Sequence, residues 1–274
     1  MKKVRSPKQF GVRGGTMEWD TLRFEKEGPI GFLILDRPAS LNAVNGQLIL
    51  DFEEACNAIR ADTETRVIIL KGEGRAFCSG MDLQAAANRP ATAEAMNATW
   101  IPWQRALNIF THLDQLTIAS VQGPCLGAGM ELILACDFRV AATNAFFAVP
   151  QVLYGSPPDA EPIYRLPQLI GLAKAKELVI LGERFDAMQA DRLGLLSRLI
   201  ELDQLGVETQ KLAERCLKVG RKAAASAKHL LTRTWDLDTE TLTREIVNAR
   251  VASVSTGEFS ESMQVYREQR KPRV

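Results

Sequence analysis

The chain has 274 residues, enough for one large α/β domain with a substantial core, or for such a domain with a smaller helical appendage. Its 46% hydrophobic and 24% charged content exclude the disordered classes. With 34 basic against 33 acidic residues, the net charge of +1 exerts no general pull on nucleic acid or an anionic membrane.

The opening MKKVRSPKQFGVRGGT carries Lys2, Lys3, Arg5, Lys8 and Arg13 with no acidic residue and no apolar stretch, unlike an ordinary secretory signal. A flexible extension over residues 1–16 is expected, with Met17 opening the ordered domain; a basic arm for RNA, a membrane surface or import is the other reading. GFLILDRP (31 to 38) is a short apolar run closed by Asp-Arg-Pro, as in a strand that enters a loop. QLILDFEEACNAIRADTE then sets Leu48, Phe52, Ala55, Cys56 and Ile59 on one helical face. RVIILKGEG and TIASVQGP read as strands that end at glycines, and FRVAA and AFFAV as two further short extended pieces.

Strand and helix signals in alternation predict βαβ-like units, hence an α/β core. From about residue 173 the pattern turns mainly helical, with Gly182, Gly194, Gly206 and Gly220 as expected stops. The expected division is an α/β core over 17–195 and a helical region over 196–274, packed together without a low-complexity linker. No segment reaches the roughly 18 uninterrupted apolar residues of a membrane span. Cys56, Cys78, Cys125, Cys136 and Cys216 are odd in number and lack CxxC spacing, which points to reduced core thiols in a cytoplasmic protein. His112 and His229 are the only histidines, so no multi-histidine metal site is expected and both are read as structural or surface residues.

Two glycine-bearing loops carry the chemical signal. GEGRAFCSGMDL (72 to 83) leaves a strand through Gly80, where backbone can approach a ligand closely. GPCLGAGMELILACDFRVAA (123 to 142) runs from Gly127, Ala128 and Gly129 into a helix whose first N–H groups have no partner inside it. Two such loops converging on one carbonyl oxygen would form an oxyanion hole, although each taken alone also suits a plain tight turn. Glu131 then stands at the mouth of an apolar helix. The helix dipole favours its ionised form and apolar walls its neutral form, so sequence leaves its pKa open.

The motifs DRPASLNAVN (36 to 45), AFCSGMDL (76 to 83), VQGPCLGAGMELILACDFRVA (121 to 141) and the run 173 to 200, with YREQRKP (266 to 272), stand in one order. In that order the chain resembles the crotonase, or enoyl-CoA hydratase/isomerase, superfamily from about Met17 to the C-terminus. The resemblance implies a crotonase-like ββα spiral core with a C-terminal helical region, assembled as a trimer or dimer of trimers. It implies an acyl-CoA substrate and no cofactor beyond the coenzyme A of that substrate; the scarce histidines and unspaced cysteines argue against a metal, and the balanced charge and lack of an apolar span against a nucleic-acid or membrane partner.

Residue by residue, the resemblance implies that the N–H groups of Met81 and Ala128 hold the thioester oxygen. Ser40, Ala43, Ser79, Gly80, Asp82 and Leu83 match segments that hold CoA, with Arg270 or Lys271 of the tail near its phosphates. Glu131 matches one catalytic glutamate of the hydratases, although a first-turn glutamate complementing the dipole is the plainer alternative. Gln151 stands where the second is expected, and glutamine cannot ionise. Asp159 falls where dienoyl-CoA isomerases carry an acting aspartate, and it also suits a simple turn. Carboxylate-assisted proton transfer, with double-bond isomerisation favoured over simple hydration, is the resulting expectation. Hydration by Glu131 alone, C–C bond hydrolysis, and a catalytically weakened acyl-CoA- or RNA-binding protein are the alternatives. The segment 85 to 104, with Trp100 and Trp103, shows little pattern and is expected to line the acyl pocket or to pack in the core.

Overall fold

The computed structural model describes residues 15–82, 84, 92–257, 259–260, 263–264 and 267. Strands β1 (Met17–Glu18), β2 (Leu22–Glu27) and β3 (Ile30–Leu35) form an antiparallel meander. Helix α1 (Gly46–Ala61) follows, its first turn capped by the Asn45 side chain, which accepts from the Leu48 N–H. Then come β4 (Val67–Gly72), α2 (Ala93–Thr111), β5 (Leu116–Val121), β6 (Pro124–Leu126), α3 (Ala128–Leu134), β7 (Phe138–Ala142) and β8 (Phe146–Ala148). The chain continues through α4 (Ala160–Ile170), α5 (Leu172–Leu181), β9 (Phe185–Asp186), α6 (Ala187–Arg192), β10 (Arg198–Ile200), α7 (Leu205–Cys216), α8 (Arg221–Arg233) and α9 (Thr239–Ser255).

Among the described residues there are two sheets. The larger has the order β1-β2-β3-β4-β5-β7-β10, parallel from β3 onward, and the smaller has the order β6-β8-β9. Consecutive strands go to different sheets: β5 to the large one and β6 to the small, then β7 and β8 in the same way. Each turn of chain thus adds one rung to each wall, which is the expected spiral.

At its centre the large sheet is covered on both faces, so β3 and β4 are apolar nearly throughout, whereas the outer β2 alternates. In β4, Ile68 and Leu70 enter the main core, with Phe52 of α1 and Phe110 of α2. Val67 and Ile69 enter a second core with Ile118, Val140 and, from α7, Leu205, Leu212 and Ala213. Hence β10 and α7 belong to the sheet and its covering layer, and the helices that stand outside it begin after Cys216. Gly182 and Gly194 close α5 and α6 with positive φ, as expected. Gly206 is a correction: it is the second residue of α7, where the helix begins, not a stop.

In segment 85 to 104, Trp103 packs in the core, one of the two readings, with Trp100 against it. From Ala93 the segment forms the first part of a 19-residue helix, opened by Thr92, whose hydroxyl accepts from the Ala95 N–H. Its apolar stripe, Trp103, Ala106, Leu107 and Phe110, starts where that segment ends; the first turns are largely exposed and carry no stripe to read.

Candidate active site

The site begins with a knot of backbone. Leu41 and Asn42 adopt left-handed φ values of 51° and 56°, a conformation uncommon outside glycine. The fully buried Asn42 side chain offsets that strain: its amide donates to the carbonyls of Glu73 (3.0 Å) and Ala76 (2.9 Å), and its oxygen accepts from the Arg37 N–H (2.9 Å). This ties the 37 to 44 loop to the loop leaving β4.

The two loops then pair directly. The Val44 N–H donates to Gly80 O at 2.8 Å, the Asp82 N–H to Val44 O at 2.8 Å, and the Ser79 N–H to Leu41 O at 3.0 Å. The Ser79 hydroxyl donates to Ser40 O at 3.4 Å. Arg37 reaches both the Ala43 carbonyl and, at 3.3 Å, the Asp82 carboxylate. Ser40, Ala43, Ser79, Gly80 and Asp82 therefore share one edge, while Leu83 and the tail residues Arg270 and Lys271 lie outside the described residues.

Alternation along this extended segment sets the next feature. Since Asp82 N–H and Gly80 O point to Val44, the Met81 N–H points the other way, away from that rung. On the small-sheet side, Cys78 bridges Cys125 of β6, which brings the start of α3 close. A Cβ on Gly80 would lie 3.0 Å from Leu126 O and 3.9 Å from the Ala128 nitrogen. Ala128 is the first residue of α3, so its N–H has no partner within the helix. The Met81 and Ala128 loops therefore converge. The turn between them needs Gly127, whose φ of 48° and ψ of −110° disfavour a side chain, and Gly129, where a Cβ would stand 2.6 Å from Cys78 O.

All seven residues of α3 are buried, Glu131 among them at 1% exposure. Two donors hold its carboxylate. The Trp103 indole N–H donates to Oε2 at 2.6 Å, and the Gln151 amide donates to Oε1 at 3.3 Å. Gln151 sits beside the turn, its Nε2 3.8 Å from where a Gly127 Cβ would be. Burial pushes the Glu131 pKa up to about 8, with the charge of Asp159 adding to the rise and that of Glu161 contributing less; the Trp103 and Gln151 bonds oppose it. Of the two influences left open by sequence, burial outweighs the dipole of a seven-residue helix.

Asp159 occupies the N-cap position of α4, without a capping bond from its side chain, close enough to Glu131 to act on it electrostatically. Two residues on, Glu161 is 2% exposed and pairs with Arg165, four residues along the same helix. It also accepts a 3.4 Å bond from Gln104 of α2. Glu131, Gln151 and Asp159 are thus brought together, and Trp103, Gln104 and Glu161 join them. Sequence reasoning placed Trp103 in the pocket or core without a carboxylate partner; the usable signal was the 3-4-7 stripe that begins there, which marks its indole as buried and in need of an acceptor.

Among the described residues, no group of three or more His, Cys, Asp or Glu could hold a metal ion, and no helix is long and apolar enough to cross a membrane. All five cysteines are buried free thiols.

A crotonase-type spiral whose two glycine-bearing loops meet near a buried carboxylate defines a class, and comparison with known proteins agrees. The model of the enoyl-CoA hydratase/isomerase family matches residues 25–274. A crotonyl-CoA hydratase of Syntrophomonas wolfei is 30% identical over 257 residues, covering 93% of this chain and 98% of that protein. A peroxisomal Δ(3,5)-Δ(2,4)-dienoyl-CoA isomerase of Arabidopsis thaliana is 29% identical over 93% of this chain and 95% of its own length. The crystal structure of an enoyl-CoA hydratase from Bacillus anthracis superposes with a TM-score of 0.86 at 28% identity, over 92% of this chain and 98% of that one. The chain belongs to the enoyl-CoA hydratase/isomerase family of enzymes.

Proposed function

We propose that the protein moves a double bond within an acyl-CoA thioester by carboxylate-assisted proton transfer, with Glu131 and Asp159 as the proton-carrying pair. The CoA moiety lies along the edge formed by Ser40, Ala43, Ser79, Gly80 and Asp82. The thioester oxygen accepts from the N–H groups of Met81 and Ala128. As negative charge grows on that oxygen, the two N–H dipoles stabilise it, which acidifies the carbons conjugated to the thioester. Asp159 takes a proton from one carbon, the electron pair shifts into an enolate, and Glu131 returns a proton to another carbon as the enolate collapses. Gln151 holds Glu131 in place and cannot itself exchange the proton. No cofactor other than the coenzyme A of the substrate enters the scheme.

The observation that carries this reading is the buried Glu131 carboxyl, which holds its proton up to about pH 8 beside a second acid, while the residue between them in sequence is an amide. The test is incubation with 2-enoyl-, 3-enoyl- and 3,5-dienoyl-CoA esters in heavy water, followed by mass spectrometry. Bond migration with deuterium uptake, lost in both Glu131→Gln and Asp159→Asn, is the expected result. Water addition that survives Asp159→Asn would overturn it.

One observation favours a second reading, hydration by Glu131 alone. The Gln151 amide oxygen is buried with no hydrogen-bond partner among the described residues, and it would accept a bond from a water aimed at the substrate. The two readings require opposite protonation states of Glu131.

The assembly is part of the proposal. No residue of α9 is buried, and Ile246, Val247, Val251 and Val254 face solvent along it. Such a stripe on a free surface is costly, and a trimer or dimer of trimers built through the 196–274 region would cover it. A cytoplasmic location fits the unpaired thiols.

A further inference from the structure

Glu131 has two oxygens in unlike surroundings, and the difference comes from α2. Trp103 is 1% exposed and clamped by aromatic packing: its ring centroid lies 5.7 Å from that of Phe52, which in turn lies 5.4 Å from Phe110. For packing alone a phenylalanine would serve at this position. The indole adds one N–H, which can only donate, and it is spent on an ionisable side chain 28 residues away at 2.6 Å. The second oxygen, Oε1, meets Gln151, whose amide presents either a donor or, turned by 180°, an acceptor. That amide oxygen has no partner among the described residues.

We propose that Trp103 is a positioning residue that pins Oε2 of Glu131 as a permanent acceptor, so that Oε1 alone carries the proton and Gln151 turns its amide to follow it. A protonated carboxyl has one carbonyl oxygen and one hydroxyl oxygen, and the carbonyl is the better acceptor. With a donor-only group fixed at Oε2, the proton settles on Oε1. When Oε1 is ionised, the Gln151 N–H donates to it; when Oε1 is protonated, the turned Gln151 oxygen accepts from it and loses its unpartnered state. The working oxygen is then the one that meets Gln151, whose amide sits beside the Gly127 turn. The inference rests on that reading of Glu131 as the proton carrier only for its use in turnover; the pin itself is a property of the unliganded protein.

The test is therefore spectroscopic and needs no substrate. Infrared difference spectra of the full-length protein across pH, wild type minus Glu131→Gln, isolate the carboxyl stretch of Glu131 and its titration midpoint. The measurement is repeated in Trp103→Phe and with benzothienylalanine at position 103, which keeps the shape of the indole and replaces the N–H by sulfur. The expected result is a C=O stretch moved to higher frequency in both, since Oε2 has lost its donor, and a midpoint raised by about one pH unit. An unchanged stretch and midpoint in the isosteric variant would overturn the pin, even if Trp103→Phe is unstable. Turnover that persists in Glu131→Gln would sink the functional reading while leaving the spectroscopic result to stand or fall separately.

Discussion

The wall around Glu131 and the last long helix, α9, draw on the same kinds of residue and end in opposite states. At the wall, Trp103, Glu131 and Glu161 are buried and hydrogen-bonded to other side chains of the same chain, and Asn42 is buried with all three of its bonds made inside the protein. Along α9, four branched apolar side chains face solvent, and on the preceding segment Leu231 and Trp235 are each 72% exposed. The contrast teaches where the chain is self-sufficient. Apart from the Gln151 amide oxygen, the wall draws its hydrogen bonds from within a single chain. Among the described residues nothing covers the apolar surface of the tail, which on the proposed assembly becomes complete only with a second copy.

Substitutions separate the two regions by the size and kind of their effects. The largest effect is expected at Glu131, where Glu131→Gln keeps the shape and removes the proton, lowering turnover of the enoyl or dienoyl ester by about 10²–10⁴-fold with little change in substrate binding. Steady-state kinetics with a CoA-ester binding assay checks this.

The same variant should also reshape stability against pH. Glu131 holds its proton more tightly when folded, at about 8, than at its ordinary value of 4.5. Its contribution is thus complete below about 4.5 and is lost as pH rises through 8. Denaturant titrations should show the wild type falling over that window and Glu131→Gln not, leaving the variant more stable at pH 9 by on the order of a few kcal/mol.

A smaller loss is expected from Gly129→Ala. Its new Cβ would stand 2.6 Å from Cys78 O, so backbone must move, at a cost of about 1–3 kcal/mol in chemical denaturation. The smallest effect on the single chain is expected from Val251→Asp. It lies on a side chain already 64% exposed, so monomer stability should stay within about 0.5 kcal/mol, while sedimentation shows a shift to smaller assemblies.

What sequence made legible follows from the same physics. Strands buried on both faces, such as VIILKG, announce themselves as apolar runs, and glycines at Gly80 and Gly127 mark turns that only a residue without Cβ can take easily. Glu131 was visible as a charge at the mouth of an apolar helix. Its partner was not, because the Trp103 bond joins elements 28 residues apart and exists only once α2 packs on α1 and α3. Glu161 was passed over for a related reason. An acid in the first turn of an amphipathic helix looks like a dipole partner, and only the packing of α2 over α4 shows that it is buried with Arg165 and Gln104. The pKa of Glu131 required burial and the placement of Asp159 together. The exposed stripe of α9 shows the limit from the other side, since apolar periodicity reads the same whether the face meets its own core or another copy.

The most direct test of the account is the rate of 3,5-dienoyl-CoA isomerisation against pH between 6 and 10, in the wild type and in Asp159→Asn. If Glu131 delivers the proton, the wild-type rate falls as pH rises through about 8. In Asp159→Asn the residual rate should fall at a lower pH, because the neighbouring charge that raises the Glu131 pKa is gone. A rate that instead rises through pH 8, or a limb that stays in place in Asp159→Asn, would contradict the pairing of these two acids.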